Sequence, residues 1–253
     1  MLKIDHLTLR FEGLVATNDV SMEVVDHKVT ALIGPNGAGK TTLFNQIAGV
    51  YAPESGHIYL DGEDITGLKP FQICQKGITR TYQVVKLFHG MTVLDNVMVG
   101  MHTRLPQNFW QDVLHTSKMR KSEKEALDYA HSLLQLVGLD RFAEYPAGAL
   151  AYGQQRLVEI ARALSSKPKL VLLDEPAAGM NTKEKNDLND MIRKIIERGT
   201  TVLLVEHDMS LVMNVADRIY VLNSGYNLAE GTPNEIVNNP DVIEAYLGRG
   251  EIS

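Results

Sequence analysis

The sequence predicts an α/β fold: a mostly parallel sheet, an antiparallel β layer and an inserted helical subdomain. Three observations point to it. Lys169-Leu170-Val171-Leu172-Leu173 and Thr201-Val202-Leu203-Leu204-Val205 are apolar runs ending in acidic residues, the pattern of parallel strands buried on both faces. Lys3 to Phe11 alternates with period two, as a strand of a half-buried layer does. From about Val84 to Leu164 the pattern is helical instead.

Along the chain, Val20–Val24 reads as a second strand, with Asp26-His27 as the turn before the buried run Val29–Ile33. His57–Leu60 is a third short strand, ended by Asp61-Gly62. Thr92 caps a helix through Val93, Val97 and Met101, stopped by Pro106. Leu105 to Lys121 is polar and irregular, with the aromatic pair Phe109-Trp110 in it, either a docking surface or a loop pin. Ser122-Glu123-Lys124-Glu125 is a capping box that opens a helix with an apolar face from Ala126 to Val137, and Gly138 ends it. Asn186–Arg198 and a segment through Leu211, Val212 and Val215 are helical. Arg218–Leu222 and Tyr226–Glu230 form a hairpin across Asn223-Ser224-Gly225, and Pro240–Leu247 is a terminal helix. The expected organisation is a single domain, 1–253. Its α/β core is 1–85 and 161–232, its helical subdomain 86–160, and its helical tail 233–253.

With 253 residues, 44% of them hydrophobic and 22% charged, the chain is of ordinary globular composition. A net charge of −6 argues against nucleic acid as a partner. Cys74 is the only cysteine, which excludes an internal disulfide framework. Met1-Leu2-Lys3-Ile4-Asp5 does not open a signal peptide, and no apolar run nears the ~20 residues of a spanning helix. A cytoplasmic location is expected, with any membrane role exerted through a partner.

The chemistry is concentrated in Gly34-Pro35-Asn36-Gly37-Ala38-Gly39-Lys40-Thr41-Thr42, placed between a buried strand and a helix. Glycines at 34, 37 and 39 let the backbone turn and aim its N–H groups inward, and the helix N-terminus adds positive potential. Lys40 supplies a flexible charge to the same phosphate oxygens, and Thr41 a hydroxyl for Mg²⁺. Asp174-Glu175 closes a buried strand, where open sheets bind ligands. Asp174 is placed to hold Mg²⁺ beside Thr41, and Glu175 to polarise a water at the γ-phosphate. Leu150-Ala151-Tyr152-Gly153-Gln154-Gln155-Arg156 precedes an amphipathic helix; on its residues alone it is an ordinary helix start or a second anion site.

Taken in order, Gly34–Thr42, Gln83, Leu150–Gln155, Leu170–Glu175 and His207 resemble the motif series of ATP-binding-cassette ATPases, members of the P-loop NTPase class. The resemblance implies ATP and Mg²⁺ as cofactors, and a second such chain and integral membrane permease subunits as partners, on the inner face of the membrane. It implies that Gln83 contacts Mg²⁺ and the attacking water and links to the membrane subunit. It implies that Leu150–Gln154 is the signature loop closing over the ATP of the opposite subunit. His207 corresponds to the switch histidine at the γ-phosphate, Phe11 to the aromatic on adenine, and Pro176–Asn181 to the loop crossing the dimer interface. Ala151 and Asn181 depart from the family's usual serine and aspartate. More narrowly, Ile78–Gln83, Ala149–Arg156, Asp174–Asn181 and Val205–Met209 resemble the ATPases of branched-chain (hydrophobic) amino-acid importers. A soluble cofactor-assembly ATPase of the same superfamily is not excluded by these residues.

Overall fold

Every residue of the three central strands is buried, because both faces of their sheet are covered. The computed structural model describes residues 1–103 and 117–247. Strands β3 (Val29–Ile33), β6 (Ile78–Arg80), β7 (Leu170–Asp174), β8 (Thr201–Val205), β9 (Arg218–Asn223) and β10 (Tyr226–Gly231) form a six-stranded sheet in the order β10-β9-β3-β8-β7-β6. All its neighbours run parallel except β9 and β10, which form the expected hairpin. Leu170 and Leu172 point to one core with Leu43, Phe44 and Ile47 of α1 (Lys40–Ile47). Val171 and Leu173 point to a second core, shared with the helical region. Parallel strands in a covered sheet leave no polar face, so alternation vanishes.

A second, antiparallel sheet has the order β2-β1-β4-β5, from β1 (Leu2–Phe11), β2 (Leu14–Val24), β4 (Ser55–Leu60) and β5 (Glu63–Asp64). Leu2, Ile4 and Leu7 of β1 and Ile58 and Leu60 of β4 lie on the far side of α1, so α1 is packed between the two sheets. β2 starts six residues before the expected Val20, because the Glu12-Gly13 turn folds it back onto β1 as far as Leu14.

The helical region contains α3 (Val93–Val99, followed by a short 3-10 turn), α4 (Ser117–Leu136) and α5 (Tyr152–Ser165). Thr92 caps α3 as expected: its hydroxyl accepts from the Asp95 N–H at 3.0 Å. Ser122 does not cap α4; the helix begins five residues earlier, so the Ser122–Glu125 box lies inside it. Lys118, Met119, Arg120 and Lys121 are good helix formers with no breaker among them. Gly138, at φ +70°, closes α4 with Gly138 N–H to Gln135 O and Leu139 N–H to Leu134 O, the paired bonds of a Schellman end. Pro106 and Phe109-Trp110 lie outside the described residues. α5 runs through the expected boundary at 160. α2 (Pro70–Lys76), α6 (Thr182–Glu197), α7 (Met209–Val215), α8 (Pro233–Val237) and α9 (Pro240–Leu247) complete the described chain. α6 starts four residues before Asn186: Asn181 is its cap, exchanging bonds with Glu184 at 3.0 and 2.8 Å. Ile236 of α8 and Val242 of α9 pack with Ile219 and Val221 of β9, which seats the tail on the main sheet. No helix among the described residues is long and apolar enough to cross a membrane.

Candidate functional site

The carboxyl ends of β3, β7 and β8 lie side by side, and each delivers one part of a site. After β3, Gly34–Gly39 turns into α1. Two of its glycines are forced by close approach: a Cβ at Gly34 would stand 2.1 Å from Leu222 O, and one at Gly39 2.3 Å from Ala16 O. Gly37, at φ +80°, needs the left-handed region itself. Gly225 N–H donates to Ala38 O at 3.0 Å, so the β9–β10 turn braces the loop from behind. Tyr246 of α9 also reaches it, its hydroxyl accepting from Gly34 N–H; burial nonetheless pushes that phenol up. Lys40 Nζ donates to the carbonyls of Gly34 at 2.6 Å and Pro35 at 2.9 Å. Burial pushes this ammonium's pKa down, and the carboxylates of Glu175 and Asp174 oppose the shift. Pro35, Asn36, Thr41 and Thr42 remain open to solvent around this turn. The first amides of α1 have no partners within the helix, so loop and helix start together form an anion cradle.

After β7 come the two acids. Asp174 is buried, and its Oδ2 is 2.9 Å from Arg80 Nη2 on the neighbouring strand β6. Burial pushes its carboxyl up, and Arg80 holds against that rise. Arg80 also bonds Asn45 of α1, so one guanidinium joins β6, β7 and the helix of the phosphate loop. Among the described residues no three His, Cys, Asp or Glu side chains converge as a self-sufficient metal cage. Mg²⁺ does not need one: it takes one or two protein oxygens and completes its octahedron with phosphates and water. Asp174 and Thr41 are the oxygens that would hold it.

Glu175 sits at φ +46°, a left-handed conformation rare for a side-chain-bearing residue and common at functional sites. Its N–H donates to Val205 O at 2.9 Å, which turns the carboxylate out of the sheet. Glu175 Oε2 then lies 3.8 Å from Nδ1 of His207, the residue that follows β8 by two. An exposed imidazole beside a half-buried carboxylate at a strand end can orient a water and accept or relay its proton.

Sequence reasoning missed the group that holds this pair. Glu206 is completely buried, and its carboxylate accepts from the N–H groups of Ala177 at 2.8 Å, His207 at 3.0 Å and Asp208 at 3.3 Å. It thereby ties Pro176–Asn181 to the histidine. An acid beside a histidine reads as a surface pair until the fold buries it.

The other expected residues stand on other elements, and no hydrogen bond or ion pair joins them to this centre among the described residues. Gln83 is exposed and follows β6 by three residues, on the strand edge next to β7. Phe11 ends β1, is 40% exposed, and meets Tyr51 edge-on at 5.2 Å between ring centroids. Tyr51 was not foreseen; together they offer an exposed aromatic face. Leu150–Gln154 does not wholly precede the helix: α5 begins at Tyr152, inside the expected loop, which makes Ala151 its cap. Gln154 Oε1 accepts from Ala151 N–H at 3.2 Å, half of a capping box; alanine has no oxygen for the other half. Gly153 lies in the first turn, and the exposed Tyr152 ring lies beside Gly179.

Comparison with known proteins agrees with this geometry. Residues 17–178 match the family model described as ABC transporter, and residues 227–252 match that of the branched-chain amino acid ATP-binding cassette transporter. The chain is 51% identical over 249 residues to the high-affinity branched-chain amino acid transport ATP-binding protein BraF of Pseudomonas aeruginosa, covering 98% of each chain. It superimposes with a TM-score of 0.85, at 32% identity and 98% coverage of each chain, on an ATP-binding cassette of an ABC transporter in its ADP conformation. A dimeric post-hydrolysis cassette bound to ADP and Pi matches with a TM-score of 0.77 at 25% identity, covering 92% of this chain and 99% of that one. The chain belongs to the ABC transporter ATPases, and within them to the branched-chain amino acid transport ATP-binding proteins.

Proposed function

We propose that two copies of this chain, or this chain and a close relative, sandwich two MgATP molecules and drive a permease for branched-chain or other hydrophobic amino acids from the cytoplasmic face of the membrane. The observation that carries the catalytic part is the juxtaposition of Glu175 and His207 at 3.8 Å beside the Gly34–Thr42 loop. Lys40, the loop amides and α1 hold the β- and γ-phosphates; Thr41 and Asp174 hold Mg²⁺. Glu175 takes the proton of the attacking water, His207 supports the γ-phosphate, and Gln83 contacts the metal and water. Phe11 stacks on the adenine. Leu150–Gln154 presents the N-terminus of α5 to the nucleotide of the opposite subunit.

The permease fits the groove where α2, the β6 end and α3 meet α5. Ile73, Cys74, Arg80, Tyr82, Val99 and Arg162 line it. In the stretch that follows Tyr82, Val84, Phe88 and Met91 are exposed, while Leu87 is buried in the chain's own core. Support for the solute comes from the relatives' names and the match of the C-terminal segment. The test is co-purification with an integral membrane partner, then uptake of labelled leucine into vesicles holding that complex with ATP on the side of this chain. ATP-dependent leucine uptake supports the reading; uptake confined to a charged or hydrophilic solute contradicts it.

A further inference from the structure

Among the described residues, the largest fully buried side chain is a cation. Arg156 is 1% exposed; the hydrogen bonds of its guanidinium go to backbone carbonyls, and the group lies over the Tyr152 ring at 5.8 Å. Nη1 donates to Tyr82 O at 2.7 Å and Nη2 to Gln83 O at 2.9 Å, with Asp174 O at 3.5 Å from Nη1. A planar fork suits two consecutive carbonyls, which a single ammonium could not span. One turn along α5, the buried Glu159 accepts from Tyr82 N–H at 3.4 Å. Burial pushes its carboxyl up, while Arg162 and Arg156 oppose that rise. A further turn along, Arg162 is 3.8 Å from Glu159 and lies over the Phe88 ring at 5.9 Å. Residues 156, 159 and 162 recur at helical spacing, so one face of α5 grips the loop 82–88 at both ends.

We propose that Arg156, with Glu159, is a positioning residue that makes the loop 82–88 and the signature loop move as one body. The proposal rests on the functional reading above, which places nucleotide at one end of α5 and the permease at loop 82–88. Closure of the signature loop over nucleotide displaces α5. Arg156 passes that displacement to the carbonyls of Tyr82 and Gln83, and so to the exposed Val84 and Phe88. A simply structural arginine would lower stability and leave the loop's response to nucleotide intact.

The test is amide hydrogen exchange over residues 82–88 in the full chain carrying Glu175→Gln, with and without saturating MgATP. Alongside it, nucleotide affinity is measured at protein concentrations too low for dimers. In the parent, MgATP changes the exchange of this loop. In Arg156→Met the loop exchanges about tenfold or more faster, the factor implied by loss of one charge-assisted hydrogen bond. It no longer responds to MgATP, although monomer affinity is unchanged. Arg156→Lys, with one donor head, responds between the two, and it decides the matter if Arg156→Met does not fold. An equal response in parent and variants, or none in a parent that binds MgATP and dimerises, overturns the proposal alone. A parent that does not bind MgATP overturns the functional reading and the proposal with it.

Discussion

Replacing Ala151 with serine adds one hydroxyl at a position where it has two independent uses. Ala151 is the cap of α5 with extended backbone, φ −60° and ψ 151°, and Gln154 already completes one half of a capping box. A serine Oγ would accept from the Gln154 N–H and close the other half. Serine in place of alanine at such a cap is worth ~1 kcal/mol. In a chain of this size that raises Tm by about 2–4 °C without nucleotide. A hydroxyl can donate while it accepts. Its proton therefore stays available for a γ-phosphate oxygen of the opposite subunit, at roughly 1.5–3 kcal/mol. Each site then tightens by about 10- to 150-fold, and a dimer has two such sites. Thermal unfolding of the nucleotide-free chain reads the first effect; gel filtration across an ATP titration, with Glu175→Gln present in both chains, reads the second. An unchanged Tm refutes the cap geometry. A raised Tm with an unchanged ATP requirement refutes the placement of the signature loop over the partner's nucleotide.

Three further outcomes are expected. Phe11→Ala weakens ATP and GTP binding together, by about 1–3 kcal/mol, because a π-face ignores base edges; unchanged affinities in equilibrium dialysis would leave Phe11 as a partner of Tyr51 only. Phe88→Asp abolishes ATP-driven solute uptake in vesicles while the basal ATPase of the isolated chain persists, since Phe88 is half exposed and belongs to the loop proposed to meet the permease; intact uptake moves the dock elsewhere. Arg80→Met leaves the Asp174 carboxylate buried without its counter-ion, a loss of about 3–5 kcal/mol at neutral pH. The sign follows from Asp174: its folded-state pKa is already raised by burial and rises further without Arg80. Stability of the variant therefore falls as pH rises through and above the usual carboxylate range. The deficit shrinks toward pH ~4, where a protonated Asp174 needs no partner. A deficit that is constant across a pH series of melts would refute Arg80 as the counter-ion.

The residues proposed to hold phosphate are readable because their chemistry is local. Gly34–Thr42 is one contiguous turn, and Asp174-Glu175 marks the end of an apolar run. The buried strands were readable for the same reason: a run of five apolar residues has one good place in a folded chain. Starts of elements were less so. Asn181 and Glu184 form a cap visible as Asn-x-x-Glu, yet α6 was expected only from Asn186, where its apolar face begins. Ser122–Glu125 matches the capping pattern but lies inside α4, because a pattern of four residues cannot report on the helix formers before it. Least legible were Arg80, Arg156 and Glu206. Each is an ordinary charged residue in sequence, and each acts only because distant strands or a helix remove it from water and set it against backbone or carboxylate groups. Such networks are properties of the fold, and no spacing along the chain encodes them.

The decisive measurement is steady-state ATP hydrolysis by the Glu175→Gln chain, set beside its equilibrium binding of MgATP. The amide keeps the shape of the side chain but cannot take the water's proton, so turnover falls by ~10²–10⁴-fold while binding is retained. Turnover close to that of the parent would contradict Glu175 as the base, and with it the catalytic centre drawn around Glu175, His207 and the Gly34–Thr42 loop.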